Sequence, residues 1–301
     1  MKIFITGGTG FIGKSVVGRL LKTGDKLLIL TLKSADSPIL WRKNKKIQFI
    51  KGDLSKIEIW KSKVNKFKPD AVIHLAWEGL GTNDYSTKTS LKNLRYGLNT
   101  ISLAAEMKCK KFLSLGSSWE YGENKGKLSE SDKLKTPVHV PSFVLAKRTL
   151  ESLGKQIALE NKMQFFWARV FFAYGPGQKP TSLLPHLITN FKAELKPKIK
   201  NRTGGNDFVY IDDVADAIVK ILKNCKKTTT IYNIGAGYLT SVAHITNLTA
   251  KYFKKPATLK EPKKVNGFYA DISKISREIG WRPKTNIKDG VKKTIEYLKT
   301  Q

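Results

Sequence analysis

Short apolar runs alternate with longer amphipathic stretches through the first 230 residues. The apolar runs predict strands at Lys2–Thr6, Lys26–Leu32, Ile47–Lys51, Ala71–Leu75, Lys111–Leu115, Gln164–Val170 and Thr230–Ile234. The amphipathic stretches predict helices at Phe11–Thr23, Lys56–Phe67, Leu91–Lys108, Ser142–Lys162 and Ile211–Lys223. Because a crossover helix joins strands that run in the same direction, this alternation predicts an α/β fold with a doubly wound parallel sheet.

The regular alternation of predicted strands and helices is interrupted after Val170. Glycines and prolines divide residues 171–206 into short pieces, and a second irregular stretch follows from 235 to 301. Such segments gather beyond the carboxyl ends of parallel strands, where open α/β sheets bind ligands. We therefore expect a nucleotide-binding domain at 1–172 plus 207–234, and a small C-terminal α/β substrate-binding region at 173–206 plus 235–301.

The net charge of +31 raises the question of a nucleic-acid partner. Only eight of the 55 cationic residues are arginine, and the lysines are scattered along the chain, which is typical of a solvated basic surface. A nucleic-acid partner is not expected, although an anionic substrate would be attracted. Two cysteines and four scattered histidines predict neither disulfides nor a metal site, and no apolar run reaches the ~18 residues of a membrane span. We expect a cytoplasmic protein.

The stretch KIFITGGTGFIG carries Gly7, Gly10 and Gly13 directly after the first strand and at the start of the first helix. Glycines at this spacing permit a tight turn, close approach of a pyrophosphate, and close helix-on-strand packing, while the helix N-terminus attracts phosphate. The motif predicts a Rossmann-like dinucleotide-binding domain, with Phe11 and Ile12 in the same loop.

The end of the second strand bears on the choice of cofactor. An NAD enzyme usually holds an acid there for the ribose 2′-hydroxyl, whereas this chain has TLKS, with Lys33 at that place. Because a cation would pair with a 2′-phosphate, NADP(H) is favoured and NAD(H) stays open, as does the reading of Lys33 as one more surface lysine. Asp53, with Leu54, ends the third strand and is expected near the adenine. Leu75 and the small Ala76 end the fourth strand, where the cofactor must pass closely.

Further motifs follow in order: TGGTGFIG, GDL, HLA, SLGSSWEYG, PSFVLAK, YGPGQ and DFVYIDDVADAI. In order and spacing they resemble the extended short-chain dehydrogenase/reductase family, the NAD(P)-dependent sugar-nucleotide epimerases, dehydratases and 4-ketoreductases, over nearly the whole chain. Within it, HLAWEGL, SSWEYG and RVFFAYGPGQ resemble the variants of enzymes acting on 6-deoxy-4-ketohexoses. The resemblance implies NADP(H)-dependent reduction of the C4 keto group of a nucleoside-diphosphate 4-keto-hexose.

The resemblance also implies three catalytic side chains. A hydroxyl of Ser117, or of its neighbour Ser118, would bond the C4 carbonyl oxygen, a tyrosine would exchange the proton, and Lys147 would lower the tyrosine's pKa while holding the nicotinamide ribose. The tyrosine and the lysine should lie four residues apart on a helix, so that both point at one spot. Here the first position is Phe143. Since losing a positioned general acid costs ~10²–10⁴ in rate, the chain is expected to be a crippled enzyme.

Phe143 leaves four accounts open. In one, the natural protein carries a tyrosine at 143 and this chain is an engineered Tyr→Phe form. In another, the phenylalanine is natural and another group supplies the proton, the candidates being Tyr121, Tyr174, His139, Glu78 or water. In a third, the chain is a non-catalytic NADP- and nucleotide-binding protein. In the fourth, the register is misread and Phe143 is a core residue.

Substrate contacts follow from the same resemblance, at Trp77, Trp119, Glu120, Tyr174, Gln178, Ser182 and Leu183. Where the family usually places an arginine before an Asp-aromatic pair, this chain has Asn206, so Arg202 or Lys200 is expected to reach the diphosphate. The alternative is that the residues around YGPGQ only punctuate a loop. Trp281 and Arg282 match a common family ending and are expected to pack.

An NAD-dependent epimerase or dehydratase is the second enzyme interpretation. Dehydratases usually add an Asp-Glu pair near the serine, and SSWEYG has a glutamate without an adjacent aspartate, which disfavours dehydration. The helices Leu91–Lys108 and Ser142–Lys162 resemble the pair that forms a four-helix dimer interface in relatives. A homodimer is therefore expected.

Overall fold

The computed structural model describes residues 1–32, 41, 43–199, 201–256 and 259–300. The strands are β1 (Lys2–Thr6), β2 (Lys26–Thr31), β3 (Ile47–Lys51), β4 (Ala71–His74), β5 (Lys111–Ser117), β6 (Gly126–Leu128), β7 (Gln164–Val170), β8 (Phe172–Tyr174), β9 (Gly205–Asn206), β10 (Phe208–Tyr210), β11 (Thr229–Ile234), β12 (Thr240–Ser241) and β13 (Phe268–Ala270). The α-helices are α1 (Phe11–Lys22), α2 (Ile57–Phe67), α3 (Thr87–Glu106), α4 (Pro141–Glu160), α5 (Leu183–Lys192), α6 (Ile211–Asn224), α7 (Val242–Tyr252), α8 (Ser273–Ile279) and α9 (Ile287–Lys299).

Within these residues, seven strands form one sheet in the order β11-β7-β5-β4-β1-β2-β3. The pairings β3–β2, β2–β1, β1–β4 and β4–β5 are parallel. The order reverses direction at β1, which is the switch point of a Rossmann-like doubly wound sheet. The predicted fold class is confirmed.

The predicted strands and helices of the first 234 residues are present, with shifts of a few residues at their ends. The largest shift is at α3, which begins at Thr87 and not at Leu91. Ser86 is its N-cap and accepts a hydrogen bond from the backbone N–H of Thr89, so the helix gains a turn before its apolar pattern begins. Helix α4 begins at Pro141, whose fixed φ suits a first helical position.

The described chain divides into two compact units by its internal contacts. Unit 1 comprises Met1–Gly122, Thr136–Arg169 and Ala215–Tyr232, and unit 2 comprises Glu123–Lys135, Val170–Val214 and Asn233–Gln301. The assignment of a dinucleotide domain and a substrate region to the ranges given above stays a prediction. Within the described part of the chain, no helix is both long and apolar enough to cross a membrane.

The core of unit 1 fixes the two helices that carry the candidate site. Phe112 of β5 stacks on Phe165 of β7, and Phe165 stacks on Trp167 of the same strand, with ring centroids 6.1 Å apart in both pairs. Helices α3 and α4 pack closely because Gly97 has no side chain: a Cβ there would lie 2.4 Å from a methyl carbon of Leu150. This close contact holds the side chains of both helices at fixed positions beside the sheet.

Unit 2 contains more helix than the sequence pattern predicted. The stretch from 235 onward was expected to be irregular, yet it forms α7, α8 and α9. Buried residues Val291, Thr294 and Ile295 lie on one side of α9, but the lysines between them obscure the apolar period. Asp207 links the pieces, since its carboxylate accepts hydrogen bonds from the backbone N–H groups of Ala236, Gly237 and Ala270.

Candidate active site

The glycine loop of unit 1 forms a cradle closed by backbone. Gly7 has φ +71°, and a Cβ there would lie 2.5 Å from the backbone nitrogen of Ala76. A Cβ on Gly13 would lie 2.1 Å from the carbonyl oxygen of Gly7, so helix α1 packs directly on the loop. Gly10 is the N-cap of α1 and donates its N–H to the Gly7 carbonyl at 3.1 Å. Only glycine fits at positions 7 and 13. The N-terminus of α1 is therefore open to an anion.

A cavity of about 210 Å³ lies beside this cradle, at the carboxyl ends of β1 to β4. Its lining includes the predicted residues Gly7, Asp53, Leu54, Ala76 and Trp77. Glu78, expected only as a candidate proton donor, also lines it, and the sequence did not predict the rest of the lining, which is Thr6, Thr9, Leu30, Thr31, Leu32, Gly52, Asn93 and Tyr96. Gly10, Phe11, Ile12, Gly13 and Leu75 do not line it, and Lys33 is outside the described residues. The glycine backbone beside this cavity leaves room for the phosphates of a nucleotide at the N-terminus of α1.

Asp53 is fixed by the turn that follows β3. Its Oδ1 accepts a hydrogen bond from the backbone N–H of Ser55 at 2.7 Å. That bond favours the ionised carboxylate and lowers the pKa of Asp53 below its ordinary value. Asp53 therefore presents an anionic hydrogen-bond acceptor at the cavity, and its place near an adenine stays a prediction.

Asn93 is a buried cavity residue that the sequence reasoning missed. Its Oδ1 accepts from the backbone N–H of Glu78 at 2.7 Å, and its Nδ2 donates to the carbonyls of Glu78 and Thr89. The side chain thus clamps the loop after β4 onto α3. A lone asparagine in a polar helix carries no local signal of this kind, because its partner lies 15 residues away.

Lys147 is almost fully buried in unit 1, with a relative exposure of 5%. Its Nζ donates to the Leu115 carbonyl at 2.7 Å and lies 3.5 Å from the centroid of the Trp77 ring. Burial lowers the pKa of Lys147 to about 7, while the carboxylate of Glu120 acts in the opposite direction. A lysine in this state can be neutral or charged near pH 7, and its cation is stabilised by the ring face.

Phe143 lies one helical turn before Lys147, in a cluster of aromatic side chains. Its ring meets Trp77, Tyr85 and Trp119 edge-on, at centroid distances of 5.6, 5.5 and 6.0 Å. Trp77 and Trp119 were predicted on the substrate side, whereas Tyr85 was not predicted at all. Phe143 is 4% exposed, so it forms part of the wall of this cluster and presents no polar atom.

Ser117 is held by a capping box at the end of β5. Its hydroxyl accepts a hydrogen bond from the N–H of Trp119 at 3.2 Å, and its own N–H donates to Glu120 Oε1 at 2.7 Å. Ser118, the alternative hydroxyl, is buried. The geometry fixes Ser117 in position, and its catalytic role stays a prediction.

Glu120 lies in the core and not at a surface that a ligand could reach. It is fully buried, and its carboxylate accepts from Arg169 Nε at 2.8 Å and from Trp167 Nε1 at 3.1 Å. The predicted substrate contact is corrected here, because both carboxylate oxygens are taken up by protein donors. Glu120 instead anchors the loop that carries Ser117.

The other candidate proton donors lie in varied places. Tyr121 is buried, and its hydroxyl accepts from Arg169 Nη1 at 3.4 Å. Glu78 is exposed and pairs with Lys92 at 2.8 Å. His139 is exposed. Tyr174 belongs to unit 2.

Unit 2 has its own cavity of about 630 Å³. Predicted residues Gln178, Ser182 and Leu183 line it together with Phe172, Ala173, Thr181, His186, Lys198, Ile199, Asn201, Asn206, Phe208 and Val242. Arg202 does not line it, and Lys200 is outside the described residues. Lys198 is the cation of this lining, and the sequence reasoning did not single it out.

Tyr174 lines a second, smaller cavity of unit 2, to which Gln178 and Leu183 also contribute. The Tyr174 hydroxyl and Gln178 Oε1 are buried without a hydrogen-bond partner among the described residues. Burial raises the pKa of Tyr174, so its phenol stays protonated. Trp281 is fully buried, as expected of a packing residue, whereas Arg282 is exposed and donates from Nε to Ser276 Oγ at 2.8 Å.

The sheet order and the glycine cradle are those of an α/β protein with a Rossmann-like fold. The sequence model of the NAD dependent epimerase/dehydratase family matches residues 3–235. The chain belongs to this family.

Relatives match over nearly the whole length. The ADP-L-glycero-D-manno-heptose-6-epimerase of Brachyspira hyodysenteriae is 28% identical over 98% of this chain and 97% of its own. The crystal structure of UDP-glucuronic acid 4-epimerase from Bacillus cereus, in complex with UDP-glucuronic acid and NAD, is 28% identical with a TM-score of 0.86, covering 100% of this chain and 99% of that one. A mutant of that enzyme with phenylalanine in place of a tyrosine, in complex with UDP-4-deoxy-4-fluoro-glucuronic acid and NAD, is 27% identical with a TM-score of 0.85 and the same coverage.

Proposed function

We propose that this chain binds NAD(H) and acts as an epimerase at C4 of a UDP-linked sugar. The observation that carries the proposal is the cradle of Gly7 and Gly13 beside the cavity lined by Asp53 and Asn93. Its backbone admits a pyrophosphate at the N-terminus of α1, and its walls supply polar groups for the remainder of a dinucleotide. When bound, NAD would supply a group that can take a hydride from the sugar and give it back.

NAD replaces the NADP that Lys33 led us to expect. The Bacillus cereus epimerase structures contain NAD, and the family is described as NAD dependent. Lys33, on which the expectation of NADP rested, is outside the described residues. Among the described residues, the end of β2 contributes Thr31 and Leu32 to the cavity.

Epimerisation replaces ketoreduction as the leading interpretation. The heptose and glucuronate relatives at 27–28% identity are epimerases by name. An epimerase uses the same groups in both directions of hydride transfer, so it needs the same Ser117 and Lys147 as a reductase. UDP-sugars are the substrates we favour because the solved relatives bind them.

The cavity of unit 2 supports a nucleotide-sugar ligand. Its lining combines aromatic rings, such as Phe172 and Phe208, with amides and the cation of Lys198. Rings can stack on a base, amides can pair with its edge, and a lysine can neutralise a phosphate. We propose that Lys198, and not the expected Arg202, contacts the diphosphate.

A second candidate is a binding protein that does not turn its ligand over. Phe143 favours it, because no hydroxyl stands at the position of the family's tyrosine. The Bacillus cereus mutant with phenylalanine in place of a tyrosine still holds both NAD and a UDP-sugar analogue. Binding without turnover is therefore physically reasonable for this fold.

The test incubates the chain and its Phe143→Tyr variant with NAD and either UDP-glucuronic acid or UDP-glucose, and separates C4 epimers by chromatography. Epimerisation by either protein supports the proposed function. Calorimetric binding of NAD and UDP-sugar with no turnover by either protein supports the binding protein. If neither protein binds NAD, or if NADP binds more tightly than NAD, the cofactor assignment is wrong.

A further inference from the structure

The loop between β4 and α3 places the ring of a tyrosine, Tyr85, against the ring of Phe143. The ring centroids of Tyr85 and Phe143 are 5.5 Å apart, and the planes meet at 79°. The ring of Tyr85 also meets the ring of Trp119 edge-on, with centroids 5.7 Å apart. Trp119 lies two residues after Ser117. The phenol of Tyr85 therefore belongs to the same aromatic cluster as Phe143, which stands at the position of the family's catalytic tyrosine. The same cluster includes the segment that carries Ser117.

The loop is held in this position from several sides. Asp84 accepts hydrogen bonds from the N–H of Ser86 at 3.0 Å and from the hydroxyl of Thr89 at 2.5 Å. The hydroxyls of Thr87 and Ser142 are hydrogen-bonded at 2.7 Å, which joins the start of α3 to the start of α4. Because Ser142 precedes Phe143 directly, this bond fixes Tyr85 and Phe143 relative to each other.

The Tyr85 hydroxyl is available to hydrogen-bond a ligand. It forms no hydrogen bond with any of the described residues, and the side chain is half-buried. Burial raises the pKa of Tyr85, so the phenol carries its proton at neutral pH. Of the donors considered from sequence, Tyr121 contacts Arg169 and Glu78 pairs with Lys92, so each has a protein partner.

We propose that Tyr85 is the proton-exchanging residue of this chain and takes the role that Phe143 cannot perform. This inference rests on the proposed function. The Tyr85 phenol first loses its proton to water. In the oxidative half the resulting phenolate accepts the proton of the C4 hydroxyl, while bound NAD would take the hydride from C4. In the reductive half the new Oη–H bond of Tyr85 breaks and the proton returns to the C4 oxygen, while the hydride would return to C4, which leaves the phenolate for the next turnover.

A double-substitution cycle tests the proposal through turnover of UDP-glucuronic acid. Tyr85→Phe is expected to lose about 10²–10⁴-fold in kcat with little change in KM. Phe143→Tyr supplies a second phenol, so Tyr85→Phe should lose much less in that background. Tyr297→Phe, which removes an exposed phenol from α9, is the matched control and should leave turnover unchanged. An equal loss in both backgrounds would mean that Tyr85 only shapes the wall, and the proposal would be wrong.

A second readout does not depend on turnover. Tyrosines labelled with ¹³C at Cζ give one resonance that is absent from Tyr85→Phe, which assigns it. Adding UDP-glucuronic acid with NAD should shift that resonance, whereas UDP with NAD should not, because only the sugar reaches the phenol. If calorimetry shows the UDP-sugar bound and the resonance does not move, Tyr85 does not touch the sugar and the proposal fails.

The two proposals fail in different ways. If Phe143→Tyr turns over UDP-glucuronic acid and the unaltered chain does not, the proposed function stands and Tyr85 is not the donor. If no variant turns over either UDP-sugar although both ligands bind, the epimerase assignment fails, and the Tyr85 resonance alone decides whether this phenol meets the sugar.

Discussion

The ammonium of Lys147 lies 3.5 Å above the indole of Trp77, and the same nitrogen donates to a backbone carbonyl of β5. The lysine comes from α4 and the tryptophan from the loop after β4. Their contact joins the lysine that the family resemblance marks as catalytic to the wall of the cavity beside the glycine cradle. It also explains how a cation is tolerated at 5% exposure, since a ring face and one carbonyl replace part of its water.

The buried Lys147 should make stability depend on pH. Burial lowers its pKa to about 7, whereas the unfolded chain holds the proton up to its ordinary value of 10.5. Burying the charged ammonium therefore destabilises the folded state fully below about pH 7, and this destabilisation decreases as the pH rises toward 10.5. We expect the free energy of unfolding of the chain, relative to Lys147→Met, to increase from pH 6 to pH 9.5 in urea titrations. A difference that does not change with pH would contradict the lowered pKa.

Helix α1 offers a matched pair of glycines. Gly13→Ala places a methyl group 2.1 Å from the Gly7 carbonyl, which must push the helix off the cradle. We expect NAD binding by calorimetry to weaken at least ~10-fold, with a stability loss of about 1–3 kcal/mol. Gly18→Ala on the same helix meets nothing within 4 Å, so it should leave NAD binding unchanged and raise stability by about 1 kcal/mol. Equal effects of the two variants on NAD binding would show that the cradle does not hold the cofactor.

Glu120 and Arg169 form an ion pair in the core of unit 1, with side-chain exposures of 0% and 2%. Glu120→Gln removes the charge opposite a buried guanidinium, so we expect a loss of about 3–5 kcal/mol in denaturant unfolding. Glu261→Gln is the control, because Glu261 pairs with His244 at an exposed position and should cost under ~1 kcal/mol. A cost below 1 kcal/mol for Glu120→Gln would show that the loop of Ser117 does not depend on this anchor.

We propose that the expected homodimer uses exposed leucines on α3 and α4. Leu91, Leu145 and Leu153 are exposed large apolar side chains at 60%, 53% and 47%. Burying such side chains is worth about 1.5–3 kcal/mol each, enough to hold helices together. The double variant Leu145→Asp/Leu153→Asp should be a monomer by light scattering. Leu195→Asp, at an exposed position in unit 2, should leave the assembly as it is, and an unchanged mass for the double variant would exclude this interface.

Much of the fold was predictable because its signals are local. The apolar runs at Lys2–Thr6 and Gln164–Val170 became β1 and β7 with the same bounds. The helix ends were less predictable, since the start of α3 depends on one cap at Ser86. Helix α9 was missed because packing within unit 2, and not its lysine-rich pattern, selects its buried side.

The sequence by itself determined the alternation of strands and helices, the glycine loop, and the absence of an oxygen at position 143. These features depend on residue type and on spacing along a few turns of chain. Only the tertiary structure decided that Glu120 serves Arg169 and not a ligand, that Asn93 clamps the loop after β4, and that Tyr85 stands against Phe143. The reason is distance along the chain: these partners meet only when the sheet brings the ends of separate strands to one edge, and no local pattern records which side chains will then be neighbours.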